Sequence, residues 1–145
     1  MPLLLHVNKQ SLKQNKKIMN KIVSKQQFSE KVFKLEVEAP LIAKSRKAGH
    51  FVIIRVDEKG ERMPLTIAGA DVQKGTITLV VQTIGLSSSK LCKLNVGDTI
   101  ADIVGPLGQA THIENFGTVV CAGGGVGVAP MLPILYFFIV ASNPN

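Results

Sequence analysis

The chain has 145 residues, 46% of them hydrophobic and 5% aromatic with no tryptophan, a formal charge of +7 and a mean hydropathy of +0.25. That is enough to bury one sizeable core but not two ordinary domains, and short β-branched runs favour strands over a helical bundle. The charge does not by itself call for nucleic acid: Lys9, Lys13, Lys16 and Lys17 stand in residues 1–18 with no acid, leaving 13 basic against 10 acidic residues in the rest. Cys92 and Cys121 match no metal spacing, so neither a disulfide framework nor an iron–sulfur cluster, which needs four ligands, is expected of this chain.

Residues 1–18 lack a sustained period and read as a disordered basic tail, or as upstream sequence with Met19 the natural start. "MPLLLH" is a poor signal peptide because its positive charge follows the apolar run. The run "MLPILYFFIVA" (131–141) falls short of the roughly 18 residues needed to cross a bilayer. A cytoplasmic protein with two reduced thiols and no membrane contact is the resulting expectation.

From Met19 onward the pattern is that of strands. "KVFKLEVEA" alternates Phe33, Leu35 and Val37 with Lys34, Glu36 and Glu38, a strand with one wet face. "HFVIIRV" (50–56) and "MPLTIAG" (63–69) flank the charged turn "DEKGER" and read as a hairpin. "GTITLVVQT" (75–83) gives another strand, and "SSSKLCKL" (87–94) a short helix with a serine available as N-cap. "NVGDTIADIVGPLG" supplies a Gly-Asp turn, a strand over about 99–104 and a glycine–proline exit. Six strands and one small helix in about ninety residues suggest a closed antiparallel barrel. At "FGTVVCAGGG" a strand of small and β-branched residues runs into glycines and then a helix-like segment, the opening of a βαβ unit. The boundaries expected are a tail over 1–18, a barrel over 19–113 and the start of an α/β domain over 114–145.

Three stretches carry possible chemistry. Gly123, Gly124, Gly125 and Gly127 would let a pyrophosphate approach backbone amides and the positive end of the following helix. No Lys-Ser/Thr follows, and Pro130 takes the place of a third dinucleotide-motif glycine, so a tight structural turn is as good a reading. "GLSSSK" at 85–90 places a glycine and serines at a helix start, where Ser87, Ser88 and free amides could hold a diphosphate, although an ordinary N-cap explains it equally. "RMPLTIAG" offers a cation, an apolar residue and a hydroxyl along one strand; the plain alternative is a solvated Arg62 and a core Leu65. His50 and His112 read as surface or strand-end residues.

In this order on a barrel followed by a βαβ start, "GHFVIIRV", "ERMPLTIAG", "GPLG" and "CAGGGVGVAPMLPI" resemble the ferredoxin–NADP(+) reductase-like FAD/NAD(P)-binding flavoproteins. Within these they are most similar to the electron-transfer subunits of sulfide dehydrogenase, NADH-dependent ferredoxin:NADP+ oxidoreductase and dihydroorotate dehydrogenase. The resemblance covers residues 19–134 and implies a six-stranded Greek-key barrel holding FAD, an α/β domain holding NAD(P)H, and hydride passing to the flavin. It further implies that Leu65 lies against the isoalloxazine and that Thr66 sets its hydroxyl near the reactive ring nitrogen. Pro64, just before them in the motif, is implied as a further cofactor contact, Arg62 as a phosphate contact, and Gly85, Leu86, Ser87 and Ser88 as holding the FAD diphosphate. Gly123, Gly124, Gly125, Gly127 and Pro130 border the NAD(P)H site. The implied partner is an iron–sulfur or flavin-containing oxidoreductase subunit, or ferredoxin, in a hetero-oligomer. No acid, base or nucleophile is required, since the cofactor performs the redox step.

The sequence departs from the broad Arg-x-Tyr-Ser/Thr pattern, having Met63-Pro64-Leu65-Thr66 there. Arg62 sits one place early, on the opposite strand face, and would reach a phosphate through a bulge. "ILYFFIVASNPN" is apolar almost all round and then stops, which reads as a C-terminally truncated nucleotide domain because such a helix must be buried on all sides. Two other readings stand beside this one. The first is an inactive remnant. The second is a small basic barrel that binds nucleic acid, disfavoured by sparse aromatics and by lysines gathered in the tail.

Overall fold

The computed structural model describes residues 20–142. The expected tail, and the choice between Met1 and Met19 as start, lie outside them. Seven strands form one antiparallel sheet: β1 (Asn20–Ser29), β2 (Val32–Glu38), β3 (Phe51–Arg55), β4 (Arg62–Asp71), β5 (Thr76–Gln82), β6 (Thr99–Ile100) and β7 (Asp102–Leu107). Their spatial order is β6-β1-β2-β5-β4-β3-β7. The two edge strands, β6 and β7, are consecutive in the chain and separated only by Ala101, whose N–H donates to the Val56 carbonyl just past β3. The ends of the sheet therefore meet, and the sheet rolls into a nearly closed barrel.

Seven strands replace the expected six. The single strand expected over 99–104 is two, interrupted at Ala101. β1 carries Lys21, Ser24, Lys25, Gln26 and Gln27 and buries only Ile22 completely, so its sequence lacks a marked alternation.

The interior follows from period-two alternation. Leu35 and Val37 on β2, Val52 and Ile54 on β3, Ile67 on β4, and Ile77, Leu79 and Val81 on β5 are all at most 1% exposed. They pack with Ile22 and Ile100 into one core. Side chains directly opposite on neighbouring strands share a face, so the register between β3 and β4 sorts the residues of β4. Leu65 opposite Val52 and Met63 opposite Ile54 point inward. Thr66 opposite Phe51, Pro64 opposite Ile53 and Arg62 opposite Arg55 point outward.

Three helices complete the described chain. α1 (Pro40–Ser45), unforeseen in the sequence, begins with its proline at the first helical position, where no amide partner is needed. α2 (Leu86–Lys93) is the expected short helix. It is fixed at both ends by buried Ser88 and by Leu91 and Cys92, which reach the core.

After the barrel, residues 109–124 form no strand, which corrects the expected strand in "FGTVVCAGGG". A parallel strand needs neighbours to take its amides and carbonyls, and no described strand lies beside this segment; Val120 is 87% exposed. The glycines form a single 3-10 turn, Gly125–Gly127, leading into α3 (Val128–Ser142). The continuous helical stretch Gly125–Ser142 has 18 residues, a mean hydropathy of 1.9 and only 11% of its residues buried. By length and composition it is sufficient to cross a bilayer, so the length argument drawn from residues 131–141 does not hold. Its burial is confined to Ala129 and Pro133, while Leu132, Tyr136, Ile139 and Val140 are exposed.

Candidate functional site

The outer face of β4 is the spine of the site. Arg62, Pro64, Thr66 and Ala68 follow one another along it, spanning roughly 20 Å at the rise of an extended strand. The register with β3 is regular from Thr66 to Arg62, so Arg62 reaches the face of Thr66 without the expected bulge. The irregularity in β4 falls instead between Ile67 and Gly69, against β5. Leu65, by contrast, is half-buried against the core beside Val52. The side chains that β4 turns outward are Arg62, Pro64 and Thr66, with Leu65 on the core-facing side.

At the Arg62 end, the start of β4 meets the start of α2. Glu61, Arg62, Met63 and Pro64 line one wall of a groove of about 270 Å3, and Gly85, Leu86, Ser87 and Ser88 line the other. Two stretches more than twenty residues apart in sequence thus form one site. A second groove, about 170 Å3, continues past Ser87 to Lys90, Lys59 and Gly60 of the β3–β4 turn.

The α2 terminus is organised by Ser88. Its Oγ accepts from the N–H of Gly85 at 3.0 Å and of Ile84 at 3.1 Å, and donates to the Gly85 carbonyl at 3.1 Å. Ser88 is only 8% exposed. Its hydroxyl thus holds the turn from which α2 starts. A Cβ on Gly85 would have nothing within 4 Å, so the space in front of the turn is open. The first amides of α2, which have no partners inside a helix, border that opening beside Ser87.

Charges around the groove are anchored in pairs. Lys90 donates to Asp57 at 3.1 Å, tying α2 to the β3–β4 turn. That hydrogen bond, with help from the Lys90 charge and the amides of Lys59 and Gly60, holds the Asp57 carboxyl below its ordinary value. Arg62 Nη1 lies 3.0 Å from Asp102 Oδ2 on β7. The far end of α2 is held by Lys25, whose Nζ donates to the carbonyls of Cys92 at 2.6 Å and Leu94 at 2.8 Å.

At the other end of the β4 face lies an apolar cleft of about 560 Å3. Ala68, Val80 and Val32 form its barrel wall, and Gly125, Val126 and Leu132 close it from the other side. The glycine turn is thus brought against the barrel next to β4. Gly125 has φ of +57°, a left-handed conformation that favours glycine. A side chain on Gly123 would collide with Met131 Sδ. Pro130 lies in the first turn of α3. The "GPLG" motif serves the barrel: a side chain on Gly105 would strike Val52, and Gly108, at φ of +86°, lies under the Phe51 ring.

The geometry is that of a flavin-binding barrel: open helix-start amides and a cation at one end of a strand face, a hydroxyl in the middle, and an apolar cleft at the other end. Residues 19–112 match the family described as oxidoreductase FAD-binding domain, and the chain belongs to that family. It is 44% identical over 125 residues to the dihydroorotate dehydrogenase B (NAD(+)) electron transfer subunit homolog of Thermotoga maritima, a match covering 86% of this chain and 44% of that one. It is 32% identical over 116 residues to the corresponding electron transfer subunit of Shouchella clausii, covering 76% of this chain and 44% of that one. Among solved structures it resembles an NADH-dependent reduced ferredoxin–NADP oxidoreductase described for flavin-based electron bifurcation. There the TM-score is 0.85 and the identity 42%, over 86% of this chain and 45% of that chain. The chain thus spans less than half the length of each of these three relatives.

FAD is the cofactor of the family, and the residues present fit it. The open space before Gly85 and the adjoining amides suit a diphosphate, and the apolar lining of the cleft beside Ala68 suits a flat ring system. No group of three or more metal-ligating side chains occurs among the described residues.

Proposed function

We propose that this chain is the flavin-holding portion of an electron-transfer subunit in an NAD(P)H-dependent oxidoreductase. The observation that carries the reading is the single outer face of β4, which joins the α2 groove to the apolar cleft under the glycine turn. A ligand with phosphates at one end and a planar apolar ring at the other matches that strip.

Bound FAD would supply the conversion between two-electron hydride chemistry and electron transfer. The chain's residues do the rest. The α2 amides and Ser87, with Arg62, bind the diphosphate; Pro64 and Thr66 border the ring, with the Thr66 hydroxyl available as a hydrogen-bond donor; Ser88 shapes the turn from behind. In this reading 19–113 is assigned to the flavin-binding domain and 114–145 to the start of a nucleotide domain, in which Gly123 to Gly127 and Pro130 border the NAD(P)H site.

The exposed apolar side of α3 is the face on which further elements of such a domain would pack, and an iron–sulfur or flavin subunit is the acceptor consistent with the relatives. The strand order supports a Greek-key arrangement, since β2 pairs directly with β5 although the β3–β4 hairpin comes between them in the chain. Two unpaired thiols, Cys92 and Cys121, suit a cytoplasmic setting.

The test is a ligand series followed by flavin fluorescence. FAD should bind far more tightly than riboflavin, because only FAD reaches both ends of the strip. Equal affinities would remove the α2 groove from the site.

A further inference from the structure

Arg62, Arg55 and Asp102 stand in a row across three strands. In the β3–β4 register Arg62 faces Arg55, and in the β3–β7 register Arg55 faces Asp102. To reach Asp102, the Arg62 side chain therefore crosses the outer surface of β3. Arg55 lies beneath the crossing, with its Nη1 donating to the Glu58 carbonyl and its Nε shut off from solvent without a partner. α2 lies on the other flank of β4: it packs against β5, and its first residues form the wall opposite Arg62 in the groove. The ion pair thus holds Nη1 of the guanidinium on the β7 side, while the residue still lines the groove that α2 shares.

We propose that Asp102 is a positioning residue that parks Arg62 on the far side of β3 and competes with the ligand's phosphates for it. The inference rests on the assignment of the α2 groove to a diphosphate. The ionic contact at 3.0 Å takes up one of the donors that a phosphate would use, and both side chains are accessible enough to exchange partners, at 54% and 31% exposure. An anion arriving at α2 replaces one carboxylate contact with a more highly charged one reinforced by the helix start. Asp102 then sets how readily the site loads and releases a phosphate-bearing ligand.

The experiment is a double-mutant cycle on the full chain with Asp102→Asn and Arg62→Gln, read as FAD dissociation constants at low and high salt, with riboflavin as the phosphate-free probe. Asp102→Asn should tighten FAD binding roughly two- to fivefold at low salt. It should lose most of that gain at high salt, leave riboflavin unchanged, and have no effect in the Arg62→Gln background. Asp102→Glu should restore wild-type affinity. Weakened FAD binding by Asp102→Asn, an equal change for riboflavin, or an effect that persists without Arg62 would overturn the proposal. Failure of the underlying assignment gives a different result: the wild-type chain would then not prefer FAD to riboflavin at all.

Discussion

Lys25, near the middle of β1, caps the far end of α2: its Nζ donates to the Cys92 carbonyl at 2.6 Å and the Leu94 carbonyl at 2.8 Å. The same ammonium lies 5.3 Å from the centre of the Phe33 ring. Carbonyls at a helix end lack intrahelical donors and carry partial negative charge, so a cation there satisfies two acceptors at once. Lys25→Met keeps much of the packing and removes the cap. It should lower stability by about 1–3 kcal/mol in chemical denaturation and weaken FAD binding indirectly, because α2 carries one wall of the groove. An unchanged denaturation midpoint would show that the cap contributes nothing.

Ser88 holds the other end of the same helix. Ser88→Ala leaves the amides of Ile84 and Gly85 without their acceptor, and should cost about 1–2 kcal/mol of stability. FAD affinity should fall with it. Thr at this position keeps the hydroxyl and should restore most of both. Loss of FAD affinity with no loss of stability would mean that Ser88 touches the ligand after all.

Asp57 links stability to acidity. Its carboxyl is held below the ordinary value chiefly by the hydrogen bond from Lys90, so the folded state binds that proton less readily than the unfolded chain does. The resulting stabilisation is complete above the usual carboxylate range, near pH 4, and disappears as the pH falls through the lower folded value. Thermal melts of wild type and Asp57→Asn should therefore differ at neutral pH and converge in acid. Curves that run parallel throughout would contradict the linkage.

The two thiols should react differently. Cys92 is 4% exposed, and burial pushes its thiol above the ordinary value against the opposing charge of Lys25. Cys121 is exposed in the segment before the glycine turn. A thiol reagent should modify one cysteine rapidly in the folded protein and two in denaturant. Rapid modification of both in the folded state would place Cys92 outside the core.

The sequence makes β2, the β3–β4 hairpin and β5 legible because each buries one face of a barrel, which writes a period of two into the chain. β1 escapes detection because only Ile22 along it is fully buried, and its polar residues serve solvent and, through Lys25, a helix end 67 residues away. The segment before the glycines has the composition of a buried parallel strand, yet a strand of that kind exists only beside neighbours supplied by distant sequence. Within the site, the residue types at β4 and α2 point to a phosphate-bearing cofactor. The turning of Ser88 inward rests on its hydrogen bonds to Ile84 and Gly85, and the sorting of Arg62 and Thr66 to one face, with Leu65 to the other, depends on register. Register is a property of the pairing partner, β3, and not of the strand alone.

The β4 face and the α2 groove are together assigned to FAD. The most direct test is the visible absorption spectrum of the purified chain after incubation with FAD and removal of the excess by gel filtration. A retained oxidised-flavin spectrum at close to one flavin per chain is the expected result. A folded chain that emerges colourless would contradict the assignment.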